Sequence, residues 1–175
     1  MSRRTSRIIH TRVSSRQVPD LLQAIFVGEL IAPSRCLWIV SPWISDIPII
    51  DNSANSFQYL ETSWSRGRVR FSQILRALAD VGTTVHVATR PDTHNLAFIE
   101  RLNESRRTEY IKTHCVEELH EKGLVGDAFY LGGSMNFTYN GITFNEEAVI
   151  YDINPEVVAA RRLIFKDRWG GATHE

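Results

Sequence analysis

Short apolar runs rich in β-branched residues alternate along this chain with stretches of helical period, and that alternation leaves few folds open. Cys36-Leu37-Trp38-Ile39-Val40 is continuous and apolar, the pattern of a buried strand. Thr83 to Thr89 alternates and is β-branched, Tyr110 to Val116 is a further strand, and Glu147 to Ile153 completes the series. Between them the spacing predicts helices over residues 17–32, 71–80 and 94–105, and a last one over 155–169 that Asn154-Pro155 caps. Pro19 suits the first turn of the first helix, and Gly82 stops the second. The order βα, βα, β-hairpin-β, α predicts an α/β sandwich with a central mixed sheet flanked by helices. With 175 residues, 43% of them hydrophobic, one domain over 1–175 can bury a real core. No repeat, linker or low-complexity segment divides it.

Charge and composition narrow the function classes. Twenty basic and 20 acidic side chains cancel, so nothing in the overall balance argues for a polyanionic partner. Locally the balance breaks: residues 1–16 hold Arg3, Arg4, Arg7, Arg12, Arg16 and His10 with no acid. This basic N-terminal arm is either solvated or a contact for phosphates. No apolar h-region follows it, and no run reaches the length of a membrane span, so a cytoplasmic protein without membrane attachment is expected. Cys36 and Cys115 read as ordinary buried thiols, with no disulfide or metal role.

Two further stretches carry alternatives. Residues 51–68, DNSANSFQYLETSWSRGR, mix Phe57, Tyr59 and Trp64 with Arg66 and Arg68, and Arg70 follows. Aromatics among arginines suit nucleic acid by stacking and phosphate contact; the alternative is an excursion whose rings pack on the body. Trp43, beyond the end of the first buried strand, either joins the core or an interface or lines a substrate cleft. His86, within a strand, is expected to be structural rather than catalytic.

The chemistry concentrates between His120 and Glu147, HEKGLVGDAFYLGGSMNFTYNGITFNEE. On a β-strand His120 and Lys122 share a face. A turn at Gly132-Gly133 then makes a hairpin that returns Ser134 and Asn136 towards them. An imidazole is a nucleophile or base, a lysine attracts an oxyanion, and Ser and Asn donate hydrogen bonds without adding charge. Such a set suits a tetrahedral phosphate with an anionic transition state. A covalent phosphohistidine would split one hard displacement into two easier ones. The set does not require a divalent metal.

These residues resemble a known family. His120, Lys122 and Asp127 meet HxKxxxxD, Gly133, Ser134 and Asn136 meet GSxN, and an N-x-E ends at Glu147. This is similar to the HKD signature of the phospholipase D superfamily, in its short, single-motif, nuclease-like branch; the segment from Asp127 to Gly133 is one residue shorter than the usual spacing. The resemblance implies that His120 attacks phosphorus. Lys122 and Asn136 would hold the non-bridging oxygens, with Ser134 assisting. Glu147, with Glu146 as its rival, would accept a hydrogen bond from the His120 ring. Asp127 would be mostly structural, tying the hairpin or bonding near the site. No cofactor or metal is implied.

A two-step displacement also needs a general acid for the leaving oxygen. The chain has a single HxK motif, so a C2 homodimer that brings two copies of His120 together would supply it. Short single-motif members look like bacterial nucleases. The chain also looks similar to phospholipase D-like proteins of bacterial DNA-modification and phage-defence islands, the DpdK-like and DrmC-like groups. The expectation is a metal-independent DNA endonuclease or phosphodiesterase, with other defence proteins as further partners. Arg66, Arg68 and Trp43 are the added substrate contacts. The alternatives are a lipid phosphodiesterase of the phospholipase D type and a non-catalytic phosphate or nucleic-acid docking module.

Overall fold

The computed structural model describes residues 5–10 and 16–169. The elements in chain order are β1 (Ser6–His10), α1 (Gln17–Ile31), β2 (Cys36–Val40), β3 (Pro48–Asp51), β4 (Arg68–Arg70), α2 (Phe71–Asp80) and β5 (Thr84–Thr89). There follow α3 (Thr93–Leu102), β6 (Ile111–Cys115), β7 (Gly123–Val125), β8 (Tyr130–Gly133), α4 (Tyr139–Thr143), β9 (Ala148–Asp152) and α5 (Pro155–Trp169). Asn154 caps α5 as its position suggests, its Oδ1 accepting from the Glu156 amide at 2.9 Å.

Seven strands form one sheet in the order β1-β9-β8-β7-β2-β5-β6. β2, β5 and β6 are parallel, and the other pairs are antiparallel, so the sheet is mixed. Side chains alternate across it. Leu37, Ile39, Val85, Val87, Leu124, Leu131 and Val149 bury against Leu22 and Phe26 of α1, Ile74 and Leu78 of α2, Phe98 of α3 and Ile142 of α4. Trp38, Val40, Ala88, Val125 and Tyr130 face the other way, against Val158, Phe165 and Trp169 of α5. The result is an α/β sandwich with helices on both faces. Among the described residues no helix is long and apolar enough to cross a membrane.

Several expectations are corrected. The basic arm is in part a strand: β1 pairs antiparallel with β9, Ser6 opposite Asp152 and His10 opposite Ala148. Arg3, Arg4 and Arg12 lie outside the described residues. His120 and Lys122 precede β7 rather than sitting on a strand. The hairpin turn is at 126–129, not at Gly132-Gly133, which form the end of β8. Those glycines serve close packing instead: a Cβ on Gly132 would run into the Tyr130 hydroxyl, and one on Gly133 into the Ala148 carbonyl. Cys36 is only half-buried and Cys115 is exposed; both are free thiols. The 51–68 excursion is closed at its base by β3 pairing with β4, which no local pattern announces. Its Trp64 is buried and Phe57 packs against the core, while Tyr59 is exposed.

Candidate active site

Four connecting segments meet at one end of the sheet. β2 runs parallel to β5 and β6, so the loops after all three open at the same end. β7 is antiparallel to β2, with Gly123 opposite Val40, so its approach segment, His120 to Lys122, arrives there too. β8 leaves at that end, carrying Ser134 and Asn136, and β9 enters there behind Glu147. The returning hairpin therefore brings His120, Lys122, Ser134, Asn136 and Glu147 to one edge, although its turn lies elsewhere. The carboxyl ends of parallel strands are where α/β sheets bind ligands.

Local hydrogen bonds fix these groups. Lys122 Nζ donates to the carbonyl of His120 at 2.7 Å, holding the cation beside the residue that carries the imidazole. Ser134 Oγ donates to Glu147 Oε2, and its backbone amide bonds the Ala148 carbonyl at 3.1 Å. The Ala148 amide returns a bond to Ser134 Oγ at 3.1 Å. Asn145 Nδ2 donates to Glu147 Oε1 at 3.3 Å. Glu147 is thus a buried carboxylate tied to the segment that holds Ser134. Asn136 Oδ1 lies 3.2 Å from the buried Ser41 Oγ, which also lies 2.9 Å from the Trp43 carbonyl. The single Ser41 hydroxyl proton is shared between these two acceptors, and the contact ties the Asn136 carboxamide to the end of β2.

Two residues that the sequence reading passed over belong to this edge. Arg90 follows β5, and its guanidinium lies 3.2 Å from both ring nitrogens of His120. This sets a positive charge against the His120 ring. Arg90 Nε also donates to the Leu119 carbonyl at 2.9 Å, and its Cζ lies 5.2 Å from the centre of the Trp43 ring. Ser41 is the second, as the hydroxyl that positions Asn136. The available signal was that both stand directly after predicted strands, residues 36–40 and 83–89. Buried Asn95 locks this corner, accepting from the Ile44 amide at 2.8 Å and donating to the carbonyls of Pro42 and Arg90, each at 2.9 Å.

The remaining predicted residues are distributed differently. Asp127 is in the hairpin turn at the opposite end of β7. It accepts from the Arg35 amide at 3.0 Å, pairs with Arg162 of α5 at 2.9 Å, and receives no contact from the His120 edge. Trp43 is 37% exposed and lines a groove of about 480 Å³ that Asn136 also lines. Arg68 lines a separate cavity with Arg16 and Asp51, and neither Arg66 nor Arg68 lines the groove at Asn136. His86 stacks on Trp38 with ring centres 3.8 Å apart and sits 3.0 Å from His114, away from the edge. Among the described residues no three His, Cys, Asp or Glu side chains cluster as metal ligands would.

An imidazole, two cations, a hydroxyl and an amide thus stand at one sheet edge, residue types that can receive an anion. Solved structures share the architecture. NucT from Helicobacter pylori superposes with a TM-score of 0.64 at 13% identity, over 93% of this chain and 93% of that one. Nuc from Salmonella typhimurium, a phospholipase D family member, gives 0.62 at 15%, over 94% and 93%. Polyphosphate kinase from Porphyromonas gingivalis gives 0.62 at 16%, with this chain covering 24% of its length. No curated protein matches the chain. The family model described as the cardiolipin synthase, phospholipase D-like domain matches residues 47–169, which include every motif residue at this edge, and the chain therefore belongs to the phospholipase D-like family.

Proposed function

We propose that the protein is a metal-independent phosphodiesterase that cleaves DNA, a nuclease of a bacterial DNA-modification or defence system. The observation that supports it is the meeting of His120, Lys122, Arg90, Ser134 and Asn136 at one sheet edge. A ring nitrogen of His120 attacks phosphorus, and the bond to the leaving oxygen breaks. Lys122, Arg90 and the Asn136 amide take the charge on the non-bridging oxygens. The leaving oxygen takes its proton from the His120 of a second copy across a twofold axis, so a homodimer holds one composite site. Water then attacks phosphorus, the phosphorus–nitrogen bond breaks, and the water's proton passes to that second imidazole. Glu147 acts through its tie to the Ser134 segment, keeping the oxygen-holding side of the site in place. Asp127 ties the hairpin from its far end.

The test is cleavage of labelled single- and double-stranded DNA in excess EDTA, wild type beside His120→Ala. We expect cleavage by the wild type and a loss of at least about 10³-fold in the variant, since the nucleophile is removed. Equal cleavage by both would reject His120 as the centre. Release of headgroup from phospholipid vesicles with no cleavage of DNA would assign the site to a lipid diester instead.

A further inference from the structure

The groove beyond Asn136 has features that the phosphate chemistry leaves unused. Trp43 and Tyr139 both line it, 37% and 52% exposed. The remainder of the lining is amide, hydroxyl and imidazole, with Asn140, Asn145 and His94 among them and, among the described residues, no carboxylate. The exposure of Trp43 does not come from a loose loop. Its neighbours Ile44 and Ile47 are fully buried, Asn95 clamps the backbone on both sides of it, and the Ser45 amide bonds the Phe137 carbonyl at 2.8 Å. A fixed backbone thus holds a large ring at the surface, beside Arg90 and so one residue from His120.

We propose that this groove is a nucleobase subsite, in which Trp43 and Tyr139 stack the base of a nucleotide adjoining the scissile diester, and that the substrate is therefore an unpaired strand. This rests on the phosphodiesterase reading and adds the substrate's form to it. A base within a duplex has both faces covered by its neighbours, so a protein ring beside the diester reaches a base face only when the strand is unpaired. The amides and the imidazole meet base edges or sugar without regard to a particular base, and the lack of a carboxylate leaves the path open to a polyanion.

The experiment compares single-stranded oligonucleotides, the same strands with tetrahydrofuran abasic residues flanking one diester, and the duplex. Wild type, Trp43→Ala, Trp43→Phe and Tyr139→Ala are assayed in excess EDTA, with binding by fluorescence polarisation in parallel. We expect kcat/KM for the base-bearing strand to exceed that for the abasic strand, and that for the duplex, by at least about tenfold. That ratio should collapse to within about twofold in Trp43→Ala and Tyr139→Ala, through KM, and be kept by Trp43→Phe. Equal cleavage of base-bearing and abasic strands by the wild type, or a ratio unmoved by the variants, overturns the subsite. Equal cleavage of duplex overturns the unpaired strand. If no substrate is cleaved but the wild type still binds the base-bearing strand more tightly than Trp43→Ala does, the phosphodiesterase reading fails and the subsite stands.

Discussion

The imidazole of His86 is kept neutral by its surroundings. Burial, with His114 and Lys112 nearby adding to it, lowers its pKa from 6.5 to about 4. Burial lowers that of His114 as well. The two rings stack and share a 3.0 Å contact, so at most one can take up a proton without placing two cations together. When the chain unfolds, His86 regains its ordinary affinity for protons. Between about pH 6.5 and pH 4 the unfolded chain therefore binds more protons than the folded one, and stability falls as pH drops through that window. Allowing for the ring's partial contact with solvent, the loss attributable to it is about 1–2 kcal/mol. His86→Phe keeps a ring on Trp38 and removes the titration. Urea unfolding at pH 7 and pH 4.5 should show the wild type losing more stability than the variant, and parallel losses would mean that His86 does not titrate in this way.

At the level of elements, the β7–β8 hairpin is held at both ends by different means, and each end makes its own prediction. At the site end Gly133 has φ 135, a region that disfavours side chains, and an added Cβ would meet the Ala148 carbonyl, part of the ladder to β9. Gly133→Ala should cost about 2–4 kcal/mol in chemical denaturation and displace Ser134 from Glu147. At the far end Asp127 pairs with Arg35 and Arg162, and its own amide donates to Ser34 Oγ at 2.8 Å. These are partly exposed contacts, so Asp127→Ala should cost about 1 kcal/mol and leave kcat on DNA within about threefold of wild type. A loss of activity well beyond the loss of stability would place Asp127 in the chemistry. The hairpin also shows what a local pattern can and cannot convey. β2, β5, β6 and β9 and helices α1, α2, α3 and α5 are legible because apolar period and β-branching are properties of neighbouring residues. β1, with arginine and histidine among its five residues, is a strand only through its pairing with β9. Gly132-Gly133 carries a turn signal, yet the glycines are there because Tyr130 and Ala148 leave no room for a Cβ. Likewise His120, Lys122, Ser134 and Asn136 stand close together in the chain, while Arg90 and Ser41 reach the same edge only because parallel strands return there.

On the scale of the whole molecule, the count of HxK motifs matters most. The motif occurs once in 175 residues, and the proposed chemistry assigns one imidazole to attack and another to protonate the leaving oxygen. If both come from His120 across a twofold axis, a dimer with one wild-type and one His120→Ala subunit has half of each requirement and none of the activity. Unfolding wild type and variant together, refolding them as a mixture and assaying DNA cleavage separates the possibilities. At equal amounts, random pairing leaves about a quarter of the dimers fully wild type, so a composite site retains about a quarter of the activity of the same total protein. Independent sites would retain about half. Light scattering on the same samples must show dimers. A monomer that cleaves DNA would mean that the leaving oxygen takes its proton within one subunit, and His94, which bonds Ser45 at 2.8 Å in the groove beside Asn136, is the imidazole there whose substitution should then abolish turnover.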